Sequence, residues 1–298
     1  VGDMKKWCKG QVVYFGLDPA NPVIVEHLAQ GGLAATLRDG WIVLCDGPRE
    51  TRLAHLDRVP LVHRGLVAFQ VENVLASAAA AWRLGVPLEL VRLGLESFSS
   101  GATGSPGRFN LLELEGAAIV VDYGHNVPSL EAICQSLGKL PHDRRIAVYS
   151  AAGDRRDEDL VAQGRLLGRT FDRVVIYEDA YIRGRQPGDI TRLISQGIRE
   201  AMPADRPVAI EVGGTWAEAA AVVLDAAAKG DLVLLQPDTI EQTIPWLGDR
   251  YGSRLRELTF DELAGPAAHG LGERAPRPGE PVAVKRGRLG LGVAAVRE

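Results

Sequence analysis

The feature that most constrains the fold is a regular alternation of short apolar runs and helical segments in the second half of the chain. Strands that alternate with helices in this way form βαβ units, in which helices cover both faces of a mostly parallel sheet. We therefore predict a doubly wound α/β domain. Its strands are expected at 117–121, 146–149, 174–177, 208–211 and 232–235, and its helices at 128–139, 157–169, 188–201 and 215–228.

The first hundred residues have a different pattern, in which short strands precede two helices. Asp39-Gly40 lies between two apolar runs and is a strong signal for a tight hairpin turn. Apolar residues at helical spacing follow and predict a long helix with one buried face. The predicted strands cover 11–15, 33–38 and 41–45, and the predicted helices cover 66–84 and 88–98.

Residues 99–107 form the clearest boundary because all nine are small or turn-forming. Such a run is typical of a linker, and its glycines would allow hinge motion. From residue 264 onward seven glycines and four prolines leave no periodicity, so a flexible tail is expected. The predicted organisation is an N-terminal region at 1–98, a hinge linker at 99–105, a C-terminal domain at 106–263 and a tail at 264–298.

The composition excludes several classes of protein. Lys and Arg number 34 against 38 Asp and Glu, so the net charge is −4 and indicates neither nucleic acid nor a membrane surface as a partner. No apolar run is long enough for a transmembrane helix, and the first ten residues lack the apolar stretch of a signal peptide. The three cysteines suggest no disulfide framework and indicate a reduced, cytoplasmic setting. The chain does not begin with methionine, and we expect it to be a piece of a longer protein.

Common nucleotide and metal motifs are missing from the sequence. The absence of GxGxxG after the first strand of the α/β domain weighs against a dehydrogenase, and no GxxxxGK[ST] is present. No HExxH or paired Cys/His spacing suggests zinc, and no GxSxG suggests a nucleophile elbow. An unrelated nucleotide-dependent α/β enzyme is therefore disfavoured, and no metal ligand is predicted.

Polar loops follow four of the predicted strands of the α/β domain. In open α/β sheets, ligands bind beyond the carboxyl ends of the strands. We expect the four loops to face one crevice and to form a site for a charged ligand. Any one of them alone would more often be a solvated loop without function. The loops cover 122–126, 150–157, 178–185 and 236–238.

Several segments, taken together, resemble those of the Mur-type ligases. Ser105-Pro106-Gly107-Arg108-Phe109 resembles their PGR(F/M) segment, and 120–126 resembles their DYAHNP-like strand end. Residues 153–157 resemble a GDRD-like loop, and 69–76 resemble the helix that closes the central ATP-binding domain. Within that group, the segments 69–73, 150–159 and 177–185 are similar to those of the cyanophycin synthetase family.

The resemblance implies a fold, a reaction and partners. The fold would be a C-terminal Mur-ligase-type, Rossmann-like domain with a mostly parallel sheet, preceded by the end of a Mur central domain. The reaction would use ATP and Mg²⁺, form an acyl phosphate, and attach arginine to aspartate side chains of an aspartate-rich polymer, in an enzyme implied to be a homo-oligomer. The P-loop lysine and the magnesium ligands of that family are absent from this chain, so we expect the chain alone neither to hydrolyse ATP nor to form an amide. The alternative is a non-catalytic module of the same fold that binds a nucleotide, an amino acid or a partner subunit.

The resemblance also implies roles for four residues in nucleotide binding. Arg108 would contact phosphate when the domains close, because a guanidinium matches the geometry of phosphate oxygens. His125 would lie near the phosphates, and Arg108 and His125 would be the catalytic residues. Asp122 would accept hydrogen bonds from ribose hydroxyls, and Asn73 would read the adenine edge with its amide. Without the resemblance, these are ordinary loop residues and, for Asn73, part of a solvated helix face.

Two charged loops are candidates for binding the substrate. A guanidinium needs carboxylate partners, and Glu178 with Asp179 is favoured because these residues directly end a strand. Arginines of the same loops would hold the substrate carboxylate or the acidic polymer. The alternative is that these opposite charges merely pair with one another. The candidate residues are Asp154, Arg156, Asp157, Glu178, Asp179, Arg183 and Arg185.

Overall fold

The computed structural model describes residues 2–99, 101–102, 104–178 and 182–265 of the 298. Within them the strands form two sheets, one of four strands and one of seven. The four-stranded sheet belongs to an N-terminal region, and the seven-stranded sheet belongs to a C-terminal domain. Leu66, Val67 and Phe69 of the N-terminal region pack into a core cluster of the C-terminal domain, so the two share an apolar interface.

The N-terminal region is built on a sheet in the order β1-β2-β3-β4, in which only the β1–β2 pair is parallel. The predicted hairpin turn is confirmed, since Asp39 and Gly40 have φ values of 49° and 77° and Arg38 pairs with Trp41. One face of the sheet is buried against α2 and α3. The strands are β1 (Val13–Gly16), β2 (Leu33–Arg38), β3 (Trp41–Asp46) and β4 (Arg49–His55), the helices are α1 (Pro22–Ala29), α2 (Ala68–Arg83) and α3 (Leu88–Ser97), and 3-10 segments cover Gly2–Trp7, Leu56–Arg58 and Pro60–Gly65.

The C-terminal domain is the predicted α/β fold, with the strand order β11-β5-β6-β10-β7-β8-β9. Its five central and right-hand strands are parallel, and β5 and β11 add an antiparallel edge. The strands are β5 (Asn110–Leu114), β6 (Ala117–Val121), β7 (Arg144–Tyr149), β8 (Arg173–Ile176), β9 (Ala209–Val212), β10 (Asp231–Leu235) and β11 (Leu255–Glu257). The helices are α4 (Val127–Leu137), α5 (Asp157–Thr170), α6 (Asp189–Ala201), α7 (Trp216–Leu224), α8 (Ile240–Tyr251) and α9 (Phe260–Ala264).

Two apolar clusters sandwich this sheet. Val120 and Leu234 face the cluster formed with α4, α5 and α6, whereas Val121 and Leu235 face the cluster formed with α7 and α8. Successive residues of a strand point to opposite faces, so a strand buried on both faces is apolar throughout. This is why the central strands were visible in the sequence as unbroken apolar runs.

Helices α5 and α6 approach each other closely because glycines line their contact. A Cβ atom on Gly164 would lie 2.2 Å from the carbonyl oxygen of Ile194, and one on Gly197 would lie 2.1 Å from that of Val161. Only glycine permits such backbone approach. The close contact holds α6 against α5 and so fixes the loop that precedes α6.

Six elements of the described residues were not predicted from the sequence, and three of them are strands at or next to a sheet edge. The missed elements are α1, β4, β5, α8, β11 and α9, and α8 contains Pro245, which interrupts a helical pattern. Residues 266–298 of the predicted tail and residues 100 and 103 of the predicted linker lie outside the described residues. Among the helices that the structure describes, none is both long enough and apolar enough to cross a membrane.

Candidate functional site

Four strands bring the predicted polar loops to one edge of the seven-stranded sheet. β6, β10, β7 and β8 are neighbours in that order and run parallel. The loops that follow Val121, Leu235, Tyr149 and Ile176 therefore emerge side by side. The sequence predicts one shared crevice for these loops. In the structure their side chains line two adjacent sites instead.

The first site, which we call the interdomain cleft, lies between α2 of the N-terminal region and the β6–α4 segment. It is lined by Gln70 and Asn73 on one side and by Arg108, Asp122 and Ser129 on the other. Three of the four residues implied in nucleotide binding, Asn73, Arg108 and Asp122, thus meet here although Asn73 lies on another domain. The Nδ2 of Asn73 donates to Oε1 of Gln70 at 3.0 Å, which orients the Asn73 amide.

Asp122 is buried at the floor of the cleft, and both its oxygens are engaged by backbone amides. Oδ2 accepts from the Phe109 amide at 3.0 Å, and Oδ1 accepts from the Gly124 amide at 2.7 Å. Burial raises the pKa of Asp122 to about 6, although these two amides and the nearby charge of Arg108 favour the ionised form. Each carboxylate oxygen has two acceptor sites, so the carboxylate retains capacity for a further donor.

His125 follows Asp122 by three residues but faces the neighbouring site. Its Nδ1 donates to the Tyr123 carbonyl at 2.8 Å, so Nε2 is the acceptor when the ring is neutral. The Tyr123 ring lies edge-on to His125 at 4.5 Å between centroids, and Arg108 Cζ lies 5.9 Å from the centre of the Tyr123 ring. Arg108 makes no salt bridge with any residue that the structure describes. Tyr123 therefore separates the cleft from the second site.

The second site, which we call the strand-end pocket, is lined by residues that include His125, Ser150, Arg183 and Asp238. Gln236 fixes its base, because its Oε1 accepts from the Ser150 amide at 3.1 Å and its carbonyl accepts from the Tyr177 hydroxyl at 3.0 Å. A Cβ atom on Gly153 would lie 2.1 Å from the Ile182 carbonyl oxygen, so only glycine lets the two loops meet. Asp238 lies in one of the predicted strand-end loops but was not among the candidate site residues.

Arginines of the two charged loops reach across to carboxylates. Arg183 lies 3.4 Å from Asp154 and 3.7 Å from Asp238, measured from nitrogen to oxygen. Arg185 Nη1 donates to Asp157 at 2.8 Å, and its Nε donates to the Gly153 carbonyl at 2.7 Å. The pairing of opposite charges, one of the two interpretations weighed from the sequence, is what these contacts show.

Arg156 lies apart from the pocket. Its side chain is exposed and pairs with Asp159 and Glu158 at the start of α5. Arg156 immediately precedes α5, and its partners belong to the first turn of that helix, where acidic side chains are favoured. The structure therefore does not bring Arg156 together with the other candidate substrate residues.

Glu178 caps α6. Its Oε2 accepts from the Gly188 amide at 2.6 Å, and its Oε1 accepts from the amides of Ile190 and Thr191 at 3.1 and 3.4 Å. These contacts occupy the carboxylate with the first turn of a helix, an arrangement that the sequence analysis missed because the partners lie ten or more residues away. Asp179, the second candidate carboxylate, lies outside the described residues.

The residues that the structure describes contain no candidate metal centre. Among the residues that it describes, no group of three or more His, Cys, Asp or Glu side chains is placed to hold a metal ion.

Comparison with known proteins places this arrangement in a class. Residues 107–239 match the Mur ligase, glutamate ligase domain. The folylpolyglutamate synthase/dihydrofolate synthase of Yersinia pestis, solved with AMPPNP and Mn ion, has a TM-score of 0.53 at 18% identity over 80% of this chain and 53% of its own. This likeness concerns the fold alone. The seven-stranded domain is a Mur ligase C-terminal domain.

The chain as a whole is similar to one particular group of these proteins. It is 33% identical over 251 residues to the cyanophycin synthetase of Geminocystis herdmanii, which covers 82% of this chain and 28% of that protein. The corresponding enzyme of Crocosphaera subtropica is 35% identical over 251 residues, or 84% of this chain and 28% of that protein. The resemblance to the Mur-ligase-like part of cyanophycin synthetases is thus confirmed, and the chain spans little more than a quarter of these relatives.

Proposed function

We propose that this chain provides the adenosine-binding and amino-acid-binding part of an ATP-dependent ligase that joins arginine to aspartate side chains of an aspartate-rich polymer. The observation that carries the proposal is the meeting of Asn73, Arg108 and Asp122 in the interdomain cleft. The relatives are ligases, and the finer choice of substrates follows from the similarity to cyanophycin synthetases.

The chemistry of the cleft suits an adenine nucleotide. The Asn73 amide keeps an oxygen acceptor and a second N–H donor after its bond to Gln70, and an adenine edge presents one donor beside one acceptor. Asp122 offers spare acceptor sites to ribose hydroxyls. Arg108, whose guanidinium has no carboxylate partner among the described residues, is available for phosphate oxygens.

When bound, ATP would supply a phosphoryl group that activates a carboxylate for attack by an amine. The chain's own residues would hold and orient the reactants. Arg108 in the cleft and His125 on the other side of the Tyr123 ring would stabilise the charge of the phosphates. In the described part of the chain, no group of three or more His, Cys, Asp or Glu side chains is placed to hold the Mg²⁺ that would accompany ATP.

The strand-end pocket is the proposed site for the incoming amino acid. Asp154 and Asp238 flank Arg183 at 3.4 and 3.7 Å, longer than the 2.7–2.9 Å typical of a charge-assisted hydrogen bond. Such long pairs are easily exchanged for contacts with a zwitterion. Arg183 would take the substrate carboxylate, and the two aspartates would take its cationic groups.

The proposal is tested first by titrating ADP into the purified chain in a calorimeter. We expect binding, and we expect Asn73→Leu to weaken it because the adenine edge loses its partner. The matched control is Gln135→Leu, an amide-to-leucine change on an exposed face of α4 away from the cleft. Failure of the wild-type chain to bind ADP, or equal weakening by both variants, would contradict the assignment.

The alternative is a non-catalytic module of the same fold that binds a nucleotide or an amino acid. The ligase and the non-catalytic module can be distinguished by assaying a longer protein that includes this chain and carries a P-loop. Arginine-dependent ADP release by that protein supports the ligase, whereas binding without turnover supports the module. For the present chain alone we expect neither ATP hydrolysis nor amide formation. We propose the cytoplasm and a homo-oligomeric enzyme as the setting.

A further inference from the structure

The segment that enters the C-terminal domain carries a buried aromatic residue in an unusual conformation. Phe109 is 1% exposed and has a φ of 54°. Left-handed backbone is unfavourable for a bulky residue and persists only where its surroundings enforce it. Specific contacts must therefore hold the backbone of Phe109 in this conformation. The packing of its ring must offset the unfavourable backbone energy.

The ring of Phe109 joins the two parts of the molecule. It lies 6.1 Å from the Phe69 ring of α2 and 5.8 Å from the His63 ring, measured between centroids. Both partners belong to the N-terminal region, whereas the Phe109 backbone leads into β5 of the C-terminal domain. The same cluster contains Leu66 and Val67, so Phe109 is part of the apolar interface.

The backbone of Phe109 is held by the end of β6. Its amide donates to Asp122 Oδ2 at 3.0 Å, and the Tyr123 amide donates to the Gly107 carbonyl at 3.0 Å. These two hydrogen bonds attach residues 107–109 to the end of β6. The Asp122 bond is charge-assisted when the carboxylate is ionised, which makes it the stronger of the two.

Asp122 also lines the interdomain cleft. We propose that Asp122 is a positioning residue that fixes the orientation of the two domains through Phe109. Through the same bond, a ligand bound in the cleft would change the packing of the interface between the domains. The second half of this inference rests on the proposed nucleotide binding. A hydroxyl donor that reaches Asp122 shares the carboxylate with the Phe109 amide and so alters the bond that holds the ring.

The far side of the interface provides a place to observe this effect. His63 and Arg64 have φ values of 47° and 55°, and Arg64 reaches Asp261 across the interface at 2.7 Å. Phe260 of α9 lies 6.1 Å from the His63 ring. Residues 62–66 and 258–264 line no part of the cleft but contact Phe109 or its neighbours, so their amides report on the interface alone.

Hydrogen–deuterium exchange of the complete chain tests the positioning role without any ligand. Asp122→Asn replaces one acceptor oxygen by an amide donor, and we expect exchange at 62–66 and 258–264 to rise about tenfold, the loss of one charge-assisted bond. Phe109→Leu keeps the amide bond but removes the ring, so we expect the same rise there with no change at 122–126. The matched control is Asp231→Asn, at the opposite end of the sheet, where the carboxylate is also buried and accepts from the Ala228 amide.

Three outcomes would overturn the inference. The first is unchanged exchange at 62–66 in Asp122→Asn, and the second is an equal rise in Asp231→Asn. If Asp122→Asn does not fold, the Phe109→Leu result decides, and no rise at 62–66 in that variant is the third contradicting outcome.

Addition of ADP separates this inference from the proposed function. In the wild-type chain we expect protection at 127–133, which borders the cleft, together with a change at 62–66. In Phe109→Leu we expect the first effect to remain and the second to disappear. Protection at 127–133 without any change at 62–66 would overturn the coupling and leave nucleotide binding intact. No protection at 127–133 would overturn the proposed function, while the ligand-free comparison still decides the positioning role.

Discussion

The interdomain cleft and the strand-end pocket are adjacent, yet their polar groups are in opposite states. In the cleft, Arg108 has no ion-pair partner among the described residues, and Asp122 is bound by backbone amides alone. At the pocket, Arg183 already pairs with Asp154 and Asp238, and in the loops beside it Arg185 pairs with Asp157. One site is rich in unused hydrogen-bonding capacity, and the other is a network of paired charges.

This difference separates two ways of recognising a ligand. A ligand of the cleft meets hydrogen-bonding positions that no ion pair occupies, so binding there requires no salt bridge to be broken. A ligand of the pocket must replace existing ion pairs with its own charges, so only a molecule of matching charge pattern gains anything. Affinity is therefore expected from the cleft and specificity from the pocket.

The largest effect is expected from the buried carboxylate of the cleft. Burial raises the pKa of Asp122 to about 6 in the folded chain, against 3.8 ordinarily. Its contribution to stability is therefore complete below about pH 4 and is lost as the pH rises through 6. Relative to Asp122→Asn, the unfolding free energy of the wild type should fall by about 3 kcal/mol between pH 4 and pH 7.

Urea unfolding at several pH values measures this difference. The control is Asp231→Asn. Burial opposes ionisation of Asp231, but the bonds from Arg144 and the Ala228 amide outweigh it and lower the pKa of that carboxyl. The difference in unfolding free energy between the wild type and Asp231→Asn should not change between pH 4 and pH 7, because the contribution of the ionised Asp231 is lost only at lower pH. If the difference in unfolding free energy between the wild type and Asp122→Asn does not change between pH 4 and pH 7, the floor of the cleft is not a desolvated site.

The second prediction contrasts the two arginines directly. Arg108→Ala should weaken ADP binding about 30-fold, the equivalent of about 2 kcal/mol for charge-assisted bonds to phosphate. Arg183→Ala should leave ADP affinity unchanged, because that side chain serves the pocket. Calorimetric titration of both variants measures this. Equal losses would mean that the two sites are one.

The third prediction concerns Glu178, which borders the pocket but caps α6. Glu178→Gln should lower the free energy of unfolding by about 1 kcal/mol, because a charged acceptor at a helix N-terminus is replaced by a neutral amide. Glu241→Gln, in the exposed first turn of α8, is the control and should change stability less. From the sequence, Glu178 is a candidate partner for the guanidinium of arginine. A raised arginine requirement with unchanged stability would restore that assignment.

The smallest effect is expected from a single aspartate of the pocket. In a longer ligase that contains these loops, Asp238→Asn should raise the KM for arginine about threefold, because an exposed ion pair contributes little. The KM for ATP and the stability should not change. Asp205→Asn, an exposed change elsewhere, is the control. An equal shift of the two KM values would remove Asp238 from the substrate site.

The central strands and their helices could be predicted because burial on both faces makes a strand apolar throughout. The edges could not, since β5 contains Asn110 and Glu113 and β11 contains Arg256, and polar residues of an edge strand leave no alternating or unbroken apolar pattern. The hairpin at Asp39-Gly40 was predictable because its turn chemistry is local.

The site was predictable only in part. Asn73 and Arg108 are 35 residues apart and on different domains, so only the resemblance to a family brought them together. The left-handed conformation of Phe109 has no local signal, because a bulky residue there contradicts its own preference and is enforced by Asp122, thirteen residues later. The capping role of Glu178 depends likewise on α6, which begins eleven residues further on.

A crystal structure of this chain with ADP bound tests the central claim most directly, because the claim is that the interdomain cleft and not the strand-end pocket receives the nucleotide. The account predicts the adenine beside Asn73, the ribose hydroxyls at Asp122 and the phosphates at Arg108, with the Arg183 pairs to Asp154 and Asp238 unbroken. ADP bound in the strand-end pocket with those pairs opened, and the cleft left without it, would contradict the account.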